Sequence, residues 1–292
     1  AWKTSSMLLH PSLYPYDTVV DEEVKRGHYT KEWFDENVHL EEFSLRSPYG
    51  YELHGALWPR AQGKAFPDGR RRVVVLVHGF SYCLLGGIKY ASIFHDLGFD
   101  CVLYDHRNHG LSGKAITTMG VCESRDLMTV CDWAREKFGE AIVLGTHVES
   151  MGAATVMLHT ALDNRLAFAM EDCGYSSFSK ELRYALRVRF HLPAYPILPL
   201  ASLFYKFRGG EFFGRILPAA ALKQAGNIPM LFIHGDSDGL VPFAMLQENY
   251  DAKPGVKHMV VFLGAKHADC YRANPELYRA SVRDFLLENG VI

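Results

Sequence analysis

Short runs of apolar residues recur along the chain and are separated by longer stretches with amphipathic, helix-like spacing. Apolar runs bounded by turn residues indicate strands that are buried on both faces of a sheet. The predicted strands are 73–77, 101–104, 141–144, 166–170, 230–233 and 258–263, and the predicted helices between and after them include 120–138, 151–158, 243–250 and 275–287. Because strand and helix alternate, the sequence predicts an α/β fold with a mostly parallel central sheet and helices on both faces.

Two regions break this alternation. Residues 38–45 and 51–58 alternate apolar and polar positions around a turn at 47–50, which predicts an antiparallel hairpin at the sheet edge. Residues 176–227 have no strand pattern, are rich in aromatic residues and are interrupted by four prolines, so we interpret them as a helical cap. The predicted organisation is a core of residues 1–175 and 228–292, in which 1–37 form an N-terminal helical extension, with a cap insertion at 176–227.

Composition narrows the class of protein. The chain has 292 residues, a normal length for an α/β enzyme, and its 48% apolar and 22% charged residues are ordinary for a soluble globular protein. A net charge of -2 gives no electrostatic argument for a nucleic-acid partner. Six scattered cysteines without a CxxC pair favour buried thiols over a disulfide framework. We expect no membrane span and favour a cytoplasmic location; because the chain starts at Ala1, an upstream anchor or export signal stays open.

The strongest chemical signal is Ser150, which lies between the apolar run 141–144 and the small, apolar residues that open the next helix. A serine on a tight strand-to-helix turn is lifted clear of the sheet, where a base can take its proton. The backbone N–H of the following residue, Met151, then begins a helix and can stabilise a developing oxyanion. The sequence therefore predicts Ser150 as a nucleophile.

The motif at Ser150 departs from the Gly-x-Ser-x-Gly pattern at one position. Gly152 is present, but Val148 stands where the first glycine is expected. A β-branched residue there is expected to crowd the turn and to shift Ser150 or narrow the pocket. The literal motif occurs only around Ser237, which has no helical pattern directly behind it, so the context favours Ser150.

A nucleophilic serine needs a base and an orienting carboxylate. His267 is the predicted base because it follows the last strand, in a glycine-containing loop near the end of the chain. Asp238, which precedes Val241-Pro242, is the predicted acid; Asp236 and Asp172 are the alternatives, and Asp236 is also interpreted as a turn-capping residue.

The second oxyanion donor is expected after the strand 73–77. The backbone N–H of Phe80, after His78-Gly79, takes this role beside Met151 N–H; lining the pocket is the alternative for Phe80.

The histidine-rich segment 105–113 is interpreted as a structural turn held by Asp105 and Arg107, not as a metal site. The cap also carries a basic cluster, which we interpret as a solvated helix face, with an anionic substrate or a membrane surface as alternatives: Lys180, Arg183, Arg187 and Arg189.

These motifs together resemble the α/β-hydrolase superfamily, and most closely its bacterial group of small esterases and hydrolases with a compact helical cap. The resemblance covers about residues 38–290. It rests on the segments 78–80, 105–112, 149–153, 234–242 and 264–268. It implies a Ser150–Asp238–His267 triad in the chain order of that fold, and an activity without metal or organic cofactor.

The leading functional hypothesis is a serine esterase that cleaves small-molecule carboxylic esters with small to medium acyl groups. A second hypothesis, from another class, is a catalytically impaired ligand-binding protein, because Val148 stands in the elbow. A third is a thioesterase, amidase or acyltransferase that uses the same triad. The sequence does not separate these leaving groups, since the acyl half-reaction is shared.

Overall fold

The computed structural model describes residues 1–61, 63 and 65–292. These residues form an eight-stranded sheet with the order β1-β2-β4-β3-β5-β6-β7-β8. Strand β2 pairs antiparallel with β1 and β4, and the other neighbouring strands are parallel, which confirms the predicted fold class. The strands are β1 (Glu41–Arg46), β2 (Glu52–Trp58), β3 (Arg72–Val77), β4 (Asp100–Tyr104), β5 (Val143–Glu149), β6 (Phe168–Asp172), β7 (Met230–Gly235) and β8 (Lys257–Phe262).

The central strands are apolar throughout because both faces of the sheet are covered. In β3, Val74 and Leu76 belong to one buried cluster, whereas Val73 and Val75 belong to the cluster on the opposite face. The helices outside the inserted segment are α1 (Trp2–Leu9), α2 (Val19–Lys25), α3 (Lys31–Asn37), α4 (Ile88–Asp96), α5 (Glu123–Phe138), α6 (Met151–His159), α10 (Ala244–Ala252), α11 (Cys270–Ala273) and α12 (Pro275–Glu288). Helices α4 and α12 contribute to the first cluster, and α5, α6 and α10 to the second.

Strand β5 differs from its prediction. The apolar pattern placed a strand at 141–144, but β5 runs from Val143 to Glu149 and ends directly before Ser150. Its second half contains Thr146, His147 and Glu149, all buried, which a polarity pattern assigns to a turn. Two of them have partners on distant helices: the His147 ring lies 2.9 Å from the Tyr278 hydroxyl, and Glu149 accepts from the Tyr90 hydroxyl at 2.7 Å.

The segment between β6 and β7 is helical, as its sequence indicates. It contains α7 (Phe178–Val188), α8 (Ile197–Phe207) and α9 (Pro218–Leu222). Together with α1 and Met151 it forms a third apolar cluster, above the carboxyl end of the sheet. The division of the chain into a core and a cap stays a prediction. Among the described helices, none has both the length and the apolar character needed to cross a bilayer.

Candidate active site

Ser150 occupies a strained turn between β5 and α6. Its backbone has φ 57° and ψ −117°, a conformation that residues with a side chain rarely adopt. The Ser150 N–H donates to the Asp172 carbonyl at the end of β6, 2.8 Å away, which anchors the turn to the sheet. The serine side chain therefore stands at the point where the chain reverses from strand to helix.

Two glycines allow other backbone segments to approach this turn. A Cβ atom at Gly152 would lie 2.7 Å from the Val77 carbonyl oxygen and 2.8 Å from that of His78. Helix α6 can therefore begin against the end of β3 only if this residue has no side chain. At Gly79, a Cβ atom would lie 3.4 Å from the Ser150 Cβ, so the loop after β3 runs beside the serine.

Three side chains predicted from the sequence form a continuous hydrogen-bonded chain. The Ser150 hydroxyl lies 2.8 Å from His267 Nε2, and His267 Nδ1 lies 2.7 Å from Asp238 Oδ2. A carboxylate only accepts hydrogen bonds, so His267 Nδ1–H donates to Asp238 and Nε2 is left to accept from Ser150. This tautomer is the one in which the imidazole can take a proton from the serine.

Asp238 is held as a carboxylate by its surroundings. Its Oδ1 accepts hydrogen bonds from the backbone N–H groups of Leu240 (2.8 Å) and Val241 (2.9 Å). His234 Nε2 lies 3.2 Å from its Oδ2. Burial raises the pKa of Asp238, but the hydrogen bonds from His234 and His267 outweigh burial and hold the pKa below its usual range.

His234 is a neighbour of the acid that the sequence analysis did not identify. It is buried, and its pKa is raised: burial alone would lower it, but the hydrogen bond to Asp238 and the nearby charge of Glu171 favour the protonated ring. The spacing of four residues between His234 and Asp238 at the end of β7 was visible in the sequence. This spacing alone does not predict a contact between the two side chains, because the chain after a strand can turn in either direction.

Two backbone N–H groups beside Ser150 lack partners in the described part of the chain. Neither Met151 N–H, at the start of α6, nor Phe80 N–H, directly after Gly79, donates a hydrogen bond to another described residue. Both groups belong to segments that flank the serine. They are the positions at which the sequence predicted donors to an oxyanion.

The alternative acids lie elsewhere. Asp236 is exposed and its Oδ1 accepts a hydrogen bond from the Gly264 N–H at 2.7 Å, so it caps a turn. Asp172 is buried and its Oδ2 accepts from the Tyr278 hydroxyl at 3.1 Å. Ser237, in the literal motif, is exposed and contacts Asp236. The structure brings neither aspartate into hydrogen-bond contact with His267.

Val148 is fully buried in the apolar cluster on the α5 and α6 face of the sheet. Its Cα pairs with that of Val77 in the neighbouring strand. With this side chain in place, the Ser150 hydroxyl lies 2.8 Å from His267 Nε2, within hydrogen-bond distance. The effect of Val148 on activity stays a prediction.

The segment 105–113 is held by Asp105. Its carboxylate accepts hydrogen bonds from the N–H groups of Leu84 (2.7 Å) and Leu111 (2.9 Å) and contacts His54 Nδ1 at 2.8 Å. The buried imidazoles of His106 and His109 have pKa values below the usual range, because burial disfavours their charged form. These contacts fit the structural turn. Arg107, expected to hydrogen-bond neighbouring loops, instead lies over the rings of Tyr49 and Tyr51.

Comparison with known proteins places this geometry in a family. No protein-family model matches the chain. The uncharacterized protein YqkD of Bacillus subtilis is 32% identical over 284 residues, which cover 97% of this chain and 90% of YqkD. The fold is similar to that of the Pyrococcus furiosus esterase Pf2001, with a TM-score of 0.69, 20% identity, and coverage of 88% of this chain and 95% of Pf2001.

Two further solved structures show the same fold. The α/β hydrolase GrgF from a Penicillium species has a TM-score of 0.68 at 16% identity, covering 87% of this chain and all of GrgF. Est1E from Butyrivibrio proteoclasticus, solved with ferulic acid, has a TM-score of 0.67 at 17% identity, covering 86% of this chain and all of Est1E. The chain belongs to one family with YqkD, and its fold is that of the α/β hydrolases. At these identities the solved structures establish the fold alone.

One group of side chains in this α/β-hydrolase fold has the composition of a metal site. Ligand atoms of Cys173, Asp238 and His267 lie within 4.8 Å of one another in the described part of the chain. A metal held by all three would compete with the His267–Asp238 hydrogen bond. Burial also raises the pKa of the Cys173 thiol, which opposes the thiolate that a metal prefers. We therefore assign the Asp238 and His267 atoms to the hydrogen-bonded chain of Ser150, and Cys173 to its buried surroundings.

A buried charge network lies behind the turn that carries Ser150. Glu149, the residue before Ser150, accepts a hydrogen bond from the Tyr90 hydroxyl at 2.7 Å, and its Oε2 lies 3.5 Å from Lys89 Nζ. Lys89 Nζ lies 3.2 Å from Glu23 of α2. The N-terminal helices are thus linked to the active-site turn. The sequence carried no signal for this network, because its members are scattered over the first half of the chain.

Proposed function

We propose that the protein is a serine hydrolase that cleaves carboxylic esters of small to medium acyl groups. The observation that carries the proposal is the hydrogen-bonded chain from Ser150 through His267 to Asp238, with the serine on a strained strand-to-helix turn. The structural relatives Pf2001, an esterase, and Est1E, solved with ferulic acid, support the same reaction class. No metal or organic cofactor enters the proposed reaction.

In the proposed mechanism, His267 Nε2 takes the proton of the Ser150 hydroxyl as its oxygen attacks the ester carbonyl. The imidazolium that forms is stabilised by the Asp238 carboxylate, which stays ionised because its pKa is low. The carbonyl oxygen becomes an oxyanion and accepts hydrogen bonds from Phe80 N–H and Met151 N–H.

Collapse of the tetrahedral intermediate expels the alcohol, which takes the proton back from His267. Ser150 is then acylated. A water molecule, deprotonated by the same imidazole, attacks the acyl-enzyme and releases the carboxylic acid, and the serine regains its proton.

Hydrolysis of p-nitrophenyl esters of graded chain length tests the proposal. We expect turnover by the wild type and a loss of at least roughly 10³-fold in Ser150→Ala, because the nucleophile is removed while the oxyanion donors remain. Turnover of thioesters or amides but not of esters would change the substrate class and leave the triad in place. No turnover of any acyl substrate by folded protein would contradict the proposal and favour a ligand-binding function.

A further inference from the structure

Helix α8 exposes an apolar stripe that no other described element covers. Leu200, Leu203 and Phe207 are exposed, Phe207 to 79% of its full surface, and the spacing of three and four residues places them on one side of the helix. The opposite side, with Leu198, Ala201 and Tyr205, is buried. A helix on the surface of a globular protein normally turns polar residues outward, so this outer face is adapted to an apolar environment.

The stripe continues onto α1. The Trp2 and Phe204 rings meet edge to face with centroids 5.5 Å apart, and Trp2 itself is 58% exposed. Arg208, at the end of α8, donates a hydrogen bond to Ser6 at 2.6 Å and covers the Trp2 ring. The two helices therefore present one surface. We call it the α1–α8 surface, formed by Trp2, Met7, Leu200, Leu203 and Phe207.

The loop before α8 exposes further large apolar side chains. Phe190, Leu192 and Tyr195 are exposed, Tyr195 to 80% of its full surface. Aromatic residues with a polar edge, such as Trp2 and Tyr195, favour the boundary between an apolar phase and water.

The surrounding segment is strongly basic. Residues 176–227 contain eight Lys or Arg and two Glu, a formal charge of +6, while the rest of the chain carries −8. Arg183, Arg187 and Arg189, at the end of α7, are exposed. Of the two glutamates, Glu181 is buried and Glu211 contacts Lys206 at 3.4 Å. Lys180 is paired with Glu248 at 2.8 Å, outside the segment. The three exposed arginines therefore carry much of the excess positive charge of this segment, which an anionic partner would complement.

We propose that the α1–α8 surface binds the face of an anionic lipid bilayer. Trp2, Leu203 and Phe207 would enter the boundary between headgroups and acyl chains, about 5–10 Å deep, while the arginines of α7 contact lipid phosphates. A second copy in a symmetric dimer fits less well, because it would bring two segments of charge +6 face to face. The binding uses no residue of the Ser150 chain, so it is independent of the proposed hydrolysis.

Sedimentation with vesicles of phosphatidylcholine alone and of phosphatidylcholine with phosphatidylglycerol tests the proposal. We expect wild type and Ser150→Ala to bind the anionic vesicles equally and the neutral vesicles more weakly, and binding to weaken at high salt. In Leu203→Ser/Phe207→Ser, affinity should fall at least roughly tenfold. The matched control, Val256→Ser/Leu287→Ser, removes two side chains of similar exposure far from this surface and should bind as wild type.

The charge contribution is tested in the same way. The triple variant Arg183→Gln/Arg187→Gln/Arg189→Gln should lose the preference for anionic vesicles. Circular dichroism and thermal unfolding identify any variant that has lost its fold. If Leu203→Ser/Phe207→Ser is such a variant, Leu203→Ala/Phe207→Ala replaces it.

Three outcomes would overturn the proposal. The first is no vesicle binding by wild-type protein. The second is an equal loss in the Val256→Ser/Leu287→Ser control. The third is a dimer in light scattering that Leu203→Ser/Phe207→Ser dissociates, without vesicle binding, which would assign the α1–α8 surface to a second copy.

Discussion

Replacing Lys89 by methionine, which has nearly the same shape, should destabilise the fold. Lys89 is almost fully buried between Glu23, at 3.2 Å, and Glu149, at 3.5 Å. Without the lysine, less positive charge would offset the two buried carboxylates of Glu23 and Glu149. Breaking a buried ion pair by removing one partner typically costs about 3–5 kcal/mol.

The pKa of Glu23 reflects the combined effect of its buried partners, Lys89 among them. Burial raises the pKa of Glu23, but Lys89 and His28 outweigh burial and hold it at about 2, against 4.5 for the free side chain. A lowering of this size corresponds to about 3 kcal/mol of stability from Lys89, His28 and Tyr82 together, of which Lys89 contributes one part. Because the folded pKa is lowered, this contribution is present above about pH 4.5 and is lost as the pH falls through about 2.

Urea unfolding followed by circular dichroism measures the effect. At pH 7, Lys89→Met should lower the free energy of unfolding by about 3 kcal/mol, and the deficit should shrink toward pH 4 as Glu23 becomes protonated in the variant. Glu23→Gln/Lys89→Met should recover part of the loss, because the uncompensated charge is gone. The control Lys25→Met breaks the exposed ion pair with Glu22 on α2, the helix that also carries Glu23. This variant should be as stable as the wild type. An unchanged free energy of unfolding in Lys89→Met, or a deficit that grows toward acid pH, would refute this reasoning.

Three further predictions concern the turn and the acid. Asp238→Asn should lower kcat/KM for esters by on the order of 10³–10⁴-fold, because an amide favours the wrong tautomer of His267. Steady-state kinetics measures this loss, and a loss below tenfold would argue against Asp238 as the residue that orients His267. Gly152→Ala should cost about 1–3 kcal/mol of stability and most of the activity, because the new Cβ would meet two carbonyl oxygens at 2.7 and 2.8 Å. The control Gly214→Ala, where a Cβ meets open space, should behave as wild type in the same urea unfolding and ester hydrolysis assays. Val148→Gly should lower the free energy of unfolding by about 2 kcal/mol or more without raising ester turnover; a gain in turnover would mean that this side chain does impair the turn.

The α/β architecture could be predicted from the sequence because its central strands are unusually clear. Strands such as β3 and β7 are buried on both faces and appear as unbroken apolar runs, and the helices between them keep their spacing. The comparisons confirm the α/β-hydrolase fold that the motifs predicted. The roles of Ser150, Asp238 and His267 remain proposals, although the structure places the three side chains in hydrogen-bond contact.

Other features depend on contacts that no local pattern encodes. Strand β5 extends through buried polar residues, of which His147 and Glu149 find partners on distant helices, so its end is predicted too early. The pairing of Lys89 with Glu23 joins two helices of ordinary composition. The sequence predicts that α8 is part of a helical cap, and only the packing shows that one of its apolar sides faces outward.

The most direct test of the central claim is covalent labelling with a fluorophosphonate, followed by mass spectrometry of the digested protein. The reagent reacts with a serine whose hydroxyl is activated by a neighbouring base. The account predicts a single adduct on Ser150, absent in Ser150→Ala and formed far more slowly in His267→Ala. Folded wild-type protein that stays unlabelled, or an adduct on Ser237 instead, would contradict it.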